Sequence, residues 1–257
     1  MSAPVTCVNE AGVATITLDR PEAKNRLDAE SMALLLEHLR ATAGDPTVRV
    51  VVLTGTGTTF CSGADLAGAV AATSGGFASG GTSGLVDVLV AMLDHPKPII
   101  GRVQGHVAGG GNGLVAACDL AVASQDARFA FSEVRVGVAP AIISVVCLQV
   151  MHRRDAQELL LTGERVSAHR VLSAGMVSQV VEPEALDVAV AAYVDQLSQG
   201  GPEAIARTKE LLRRVPAMPR DDAFAWTAEV SARLFTSSEA REGMTAFLEK
   251  RKPEWAP

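Results

Sequence analysis

The sequence predicts an α/β fold on three observations. Strand-like and helix-like segments alternate through its first half, the strand-like runs are nearly continuous in apolar residues, and strand signals stop near residue 184. Val13-Ala14-Thr15-Ile16-Thr17-Leu18 interleaves β-branched and small residues before Asp19-Arg20-Pro21, a strand ending in a turn. Asp28 is placed to cap a helix over 29–43. That helix would put Met32, Leu35, Leu36 and Leu39 on one face and stop at Gly44-Asp45-Pro46. Residues 48–54 form an apolar run of the kind a sheet covered on both faces requires. A helix over 85–93, a strand over 99–103, a helix over 114–118 and a strand over 120–123 continue the alternation. Beyond that, 186–197, 202–214 and 222–249 carry only helical periodicity, so a core over 1–195 and a helical region over 196–257 are expected.

Composition narrows the function. With 257 residues, 48% hydrophobic and 20% charged, the chain can bury one large core. A net charge of −6 and a pI near 5.4 speak against nonspecific attraction to nucleic acid or to an anionic membrane. No apolar run reaches the length of a membrane span, and the first residues lack a basic start followed by a long apolar stretch, so a soluble cytoplasmic protein is expected. Cys7, Cys61, Cys118 and Cys147 are scattered and form no CxxC pair, which predicts reduced thiols and no metal site.

Two bare turns carry the chemistry. Val107-Ala108-Gly109-Gly110-Gly111-Asn112-Gly113-Leu114 has four glycines in five residues ahead of a helix-like segment. Phe60-Cys61-Ser62-Gly63-Ala64-Asp65-Leu66 follows the apolar strand some fifty residues earlier. Glycine lets backbone N–H groups approach an oxygen closely, and two such turns can supply two converging donors for charge developing on a carbonyl oxygen. Gly55-Thr56-Gly57-Thr58-Thr59-Phe60 fails as a dinucleotide fingerprint because the third glycine is Phe60. Walker A, GxSxG and HExxH patterns are absent. Cys61 reads as a small buried thiol and His106 as a hydrogen-bonded structural histidine. Glu133, between the apolar stretches of Phe129-Ala130-Phe131-Ser132 and Val134-Arg135-Val136-Gly137-Val138, is either neutralised by a partner such as Arg135 or held protonatable for proton transfer. Residues 67–84, mostly Ala, Gly, Ser and Thr, suit either a mobile cap over a site or a plain surface loop.

In combination, Ile16-Thr17-Leu18-Asp19-Arg20-Pro21-Glu22-Ala23-Lys24-Asn25, Phe60 to Leu66 and Gly105-His106-Val107-Ala108-Gly109-Gly110-Gly111 resemble the crotonase family of enoyl-CoA hydratases and isomerases. Cys118-Asp119-Leu120-Ala121 and Leu161-Thr162-Gly163-Glu164 extend the likeness over nearly the whole chain. The resemblance implies a crotonase-like spiral of stacked β-β-α turns, with a C-terminal helical region that supports homotrimers, often paired into homohexamers. It implies an oxyanion hole from the N–H groups of Ala64 and Gly110. Coenzyme A would enter as part of an acyl-CoA thioester substrate and not as a tightly bound cofactor, lying along Lys24, Arg26 and Leu27 and near Ser62, Asp65 and Leu66. Arg26 replaces the small residue common at its position and could stack on the base or contact phosphate.

Hydratases of the family typically hold one water between two glutamates. Glu133 matches the second, while Gly113 stands where the first would be, and Ala141-Ile142-Ile143 replace the glycines usual after the second. One carboxyl group can take the proton of water attacking the β-carbon and deliver a proton to the α-carbon; it can equally move a proton between α and γ carbons. The resemblance therefore implies hydration of a 2-enoyl-CoA, with double-bond isomerisation or a non-catalytic acyl-CoA-binding role as alternatives. The stretches Ser132 to Ser144 and Gly113 to Asp119 look most like a bacterial branch associated with methylglutaconyl-CoA-type hydration.

Overall fold

A computed structural model describes residues 3–64 and 76–256, and side chains throughout that range except at 76–83. The fold is α/β, as the alternation predicts. β1 (Val5–Glu10) and β2 (Val13–Leu18) form an antiparallel hairpin. Its two-residue turn puts Ala11 and Gly12 at positive φ, 49° and 82°, the combination whose twist suits a tight hairpin. β1 is not evident in the sequence because most of its side chains are half-buried or exposed, which weakens its apolar signal.

The core then repeats one unit three times: a strand in a large sheet, a short strand in a small sheet, and a helix. β3 (Val50–Gly55), β4 (Thr59–Cys61) and the helix Gly76–Asp94 form the first unit; β5 (Ile99–Val103), β6 (His106–Ala108) and the helix Gly110–Ala117 form the second. β7 (Leu120–Ser124), β8 (Arg128–Ala130) and the helix Ala141–Val150 form the third, with a 3-10 turn at Ser132–Val136 between strand and helix. With the helix Ala29–Gly44 taken as α1, these three are α2, α3 and α4. The large sheet has the order β1-β2-β3-β5-β7-β10, parallel apart from its first pair; β10 is Gln179–Val181. The small sheet runs β4-β6-β8-β9, with β9 (Arg165–Ser167) antiparallel to β8.

Burial follows the periodicities. Every residue of β3 is buried. Val51 and Leu53 pack into the main core with Leu35, Leu39 and Ile99, whereas Val50 and Val52 face Ile100, Val122, Leu186 and Val190 on the other side. Asp28 caps α1 as predicted, its Oδ1 accepting from the Ser31 N–H at 2.9 Å.

Two helices start earlier than their apolar pattern. α2 begins at Gly76, not near 85, since a helix anchored by Val88, Leu89 and Met92 extends cheaply once nucleated. α3 begins at Gly110, inside the glycine run, where neighbouring backbone presses in: a methyl group on Gly111 would lie 2.7 Å from Cys61 O.

Helices α5 (Arg153–Thr162), α6 (Ala168–Ser173) and α7 (Leu186–Ser198) are followed by α8 (Pro202–Arg214). The 222–249 stretch is two helices, α9 (Arg220–Phe235) and α10 (Ser238–Glu249), because Ser237 caps a new start by accepting from the Ala240 N–H at 3.0 Å. Arg49 ties this end of the chain to the sheet, donating to Trp255 O at 2.7 Å and Gly200 O at 2.8 Å. Among the described residues, no helix is long and apolar enough to cross a membrane.

Candidate active site

The unit repeat brings the two bare turns together at one end of the small sheet. Gly63 has φ +85°, and a methyl group placed on it would lie 2.8 Å from Ala108 O and 3.0 Å from Gly110 N. The two turns are thus in backbone contact, which only a missing Cβ at position 63 permits. Gly110 is the first residue of α3, so its N–H has no partner within the helix. Gly109 N–H is taken by Ala130 O at 3.3 Å, and the wholly buried Asn112 donates its side-chain amide to the same carbonyl at 2.8 Å. These bonds lock the start of α3 to the end of β8.

A third segment joins them. Lys24 and Asn25 adopt left-handed φ of 55° and 50°, which turns the chain sharply. The buried Asn25 holds that turn: its Oδ1 accepts from Arg20 N–H at 2.9 Å, and its Nδ2 donates to Thr56 O at 3.0 Å and Thr59 O at 2.7 Å. Ser62 N–H then donates to Lys24 O at 3.1 Å and Leu27 N–H to Gly63 O at 2.8 Å, with Leu27 bridging Ala64 in parallel. Lys24, Arg26, Leu27, Ser62, Ala64 and Gly110 therefore lie around one locus. Asp65 and Leu66 fall outside the described residues, as does the 67–75 part of the segment read as a cap or surface loop; its remainder, 76–84, is the start of α2. The Arg26 guanidinium sits 3.7 Å from Asp28 Oδ2, which also accepts from Arg20 at 2.6 Å.

Glu133 completes the locus. A methyl group on Gly109 would lie 3.6 Å from Gly63 Cα and 3.7 Å from Glu133 Oε1, so the carboxyl group borders both turns. Arg135 does not neutralise it: its Nε donates to Thr162 O at 3.0 Å. Glu133 Oε2 is buried with no hydrogen-bond partner among the described residues, and desolvation raises the carboxyl pKa above its usual value. A desolvated carboxyl group of this kind holds its proton more readily than an exposed one.

The missing first glutamate has a structural counterpart. A Cβ at Gly113 would come 2.6 Å from Cγ2 and 3.2 Å from Cβ of Ile143, with Leu89 Cδ1 at 3.7 Å. Ile143, on α4, fills the space a side chain at 113 would occupy. Neither Asn25, Asn112 nor Ile143 is singled out as a site residue by sequence reading. The one signal for Asn25 is a polar residue in a turn that needs positive φ; that for Ile143 is the stretch Ala141-Ile142-Ile143 in place of glycines, which does not reveal its contact with Gly113 thirty positions away.

These features match known proteins over the whole fold. The profile of the enoyl-CoA hydratase/isomerase family matches residues 8–257. The chain belongs to that family. An enoyl-CoA hydratase structure from Mycobacterium smegmatis superposes with a TM-score of 0.94 at 38% identity, covering 99% of each chain. The (E)-benzylidenesuccinyl-CoA hydratase of Thauera aromatica is 34% identical, over 97% of this chain and 98% of its own. An enoyl-CoA hydratase of Mycobacterium tuberculosis is 32% identical, over 93% of this chain and 91% of its own. The crotonase-like fold and family expected from the motifs are thereby established.

In this family member three of the four cysteines, Cys61, Cys118 and Cys147, are buried. Burial pushes the Cys61 thiol up to about 12; burial, with the Glu133 charge added, does the same to Cys147; Cys118 is also driven upward. His106, expected as a hydrogen-bonded structural histidine, is exposed on β6 because it is an outward-facing position of a short strand. A thiol reagent titrated at neutral pH should modify only the half-buried Cys7 in the native protein, and all four cysteines after unfolding. Fast native modification of Cys61 would contradict this and reopen thiolate chemistry.

Proposed function

We propose that the chain hydrates a 2-enoyl-CoA thioester, with Glu133 as its one acid/base. The carrying observation is the juxtaposition of Glu133 Oε1 with the Gly63 and Gly110 turns. The thioester oxygen would rest between the N–H groups of Ala64 and Gly110, where negative charge builds up as the enolate forms. Water attacks the β-carbon and gives its proton to the Glu133 carboxylate; the resulting carboxylic acid delivers a proton to the α-carbon, so that one water is added overall. A raised pKa suits both halves, strengthening the base without preventing return of the proton. Coenzyme A would lie along Lys24, Arg26, Leu27 and Ser62 as part of the substrate, with no tightly bound cofactor.

Isomerisation is the second reading, and Gly113 favours it. With a single carboxylate, moving a proton from the α to the γ carbon needs no water held by a second acid. We also infer assembly into homotrimers or homohexamers. Phe224, Phe235, Phe247 and Leu248 are each at least 69% exposed on α9 and α10, apolar surface that a second copy of the chain would cover.

A thioester panel read by chromatographic retention time and mass spectrometry tests these readings together: crotonyl-CoA, methylglutaconyl-CoA, which the branch likeness brings in, and a 3-enoyl-CoA. Gain of water by a 2-enoyl substrate is the expected result. Conversion of the 3-enoyl arm to its 2-enoyl isomer without mass change would favour the isomerase. Acyl-CoA binding with no turnover anywhere in the panel would overturn catalysis and leave a binding role.

A further inference from the structure

Gly113 and Ile143 are more than a lost acid and a chance replacement. Gly110 and Gly113 are three apart on α3 and so share a face of that helix. Methyl groups on them would meet, in turn, Leu27 and Leu85, then Ile143 and Leu89. Leu85 and Leu89 are four apart on α2, so an apolar strip runs alongside the glycine face from the donor residue to position 113. Ile143 closes that strip, and it is only 3% exposed. Cys147, one turn further along α4, donates its thiol to Asn112 O on α3 at 4.0 Å, which holds α4 against the glycine-bearing helix. The surroundings of position 113, one turn along α3 from the Gly109 position that Glu133 Oε1 borders, are therefore hydrocarbon, and Ile143 among them is β-branched and stiff in χ1.

We infer that Ile143, seated against Gly113, is the specificity-determining residue for bulk on the acyl group beside the reacting double bond. This rests on the acyl-CoA reading above. An unbranched β-carbon fits against the isoleucine; an additional β-substituent collides with it. Gly113 is the matching half of the pair, kept bare because Ile143 fills its space. Methylglutaconyl-CoA, branched at the β-carbon and carrying a carboxylate, is by this reasoning a poor occupant.

Saturated thioesters, which bind without undergoing hydration, separate this inference from the catalytic one. Calorimetric affinities of butyryl-CoA and 3-methylbutyryl-CoA are compared in wild type, Ile143→Val and Ile143→Ala, the valine variant serving if alanine does not fold. Both variants should shift the affinity ratio toward the branched thioester, by about tenfold or more for alanine, since a pocket discriminates one methyl-sized group by about 10–200-fold. An unchanged ratio overturns the role of Ile143, and so does failure of butyryl-CoA to bind wild type, which would also overturn the acyl-CoA reading. A shifted ratio in an enzyme that turns over no thioester would sink catalysis but keep the pocket. The pairing has its own readout. Gly113→Ala should lower the melting temperature in wild type and leave it unchanged or higher in the Ile143→Ala background; equal losses in both would overturn it.

Discussion

Glu133→Gln should lower turnover of a 2-enoyl-CoA by about 10²–10⁴-fold, the range a positioned general acid/base contributes. Gln has nearly the shape of Glu, so the loss should fall on kcat with little change in thioester affinity. Retention of turnover within a factor of a few would remove Glu133 from the mechanism. The same variant has a signature in stability. Burial raises the Glu133 pKa in the folded protein above its unfolded value. The folded state therefore binds the proton more tightly, and its advantage is fully present below the unfolded carboxylate pKa and lost as pH rises through the folded one. Wild type minus Glu133→Gln, measured by denaturant unfolding, should show stability declining across that window and flat above it. A rise with pH would mean that the carboxylate has found a cationic partner, which the turn of Arg135 toward Thr162 argues against.

Gly63→Ala should damage both fold and catalysis. Its φ of +85° costs a non-glycine residue about 1–3 kcal/mol. The added methyl would also lie 2.8 Å from Ala108 O, 3.0 Å from Gly110 N and 3.2 Å from Gly109 Cα. All three are backbone atoms, so no side chain can rotate away and the two turns must separate. Separation moves the Ala64 and Gly110 N–H groups off a shared oxygen, and loss of one such donor costs about 10²–10³ in kcat. Gly12→Ala is the control: φ is +82° there, but the nearest atoms are at 3.4 Å and the hairpin turn is remote from the locus. It should lose stability through backbone strain while keeping turnover. If Gly63→Ala merely matched Gly12→Ala in both measurements, the turns would not be the oxyanion-binding device.

Much of this site is readable in one dimension because glycine and periodicity are local signals. The alternation of Val13 to Leu18, the helical face of Met32, Leu35 and Leu39 and the continuous apolar run into β3 each reflect a single element meeting a core, and each took the form its pattern implies. Asp28 capped its helix because capping needs only neighbours within one turn. The bare residues at 63 and 109–111 signalled close backbone approach, though not to which atoms. β1 escaped because it is an edge strand whose side chains are largely unburied. The start of α3 escaped because glycine disfavours helix and only the backbone of Cys61 explains its presence there.

By itself, then, the sequence determined the α/β class, the family likeness and the identity of the lone retained glutamate. Tertiary structure decided what surrounds that glutamate. Whether Glu133 is paired with Arg135 depended on where Arg135 points, and whether Gly113 is a gap or a filled position depended on Ile143 packing from another helix. Both are contacts whose energy falls off within a few ångströms in space, and separation along the chain carries no information about that distance.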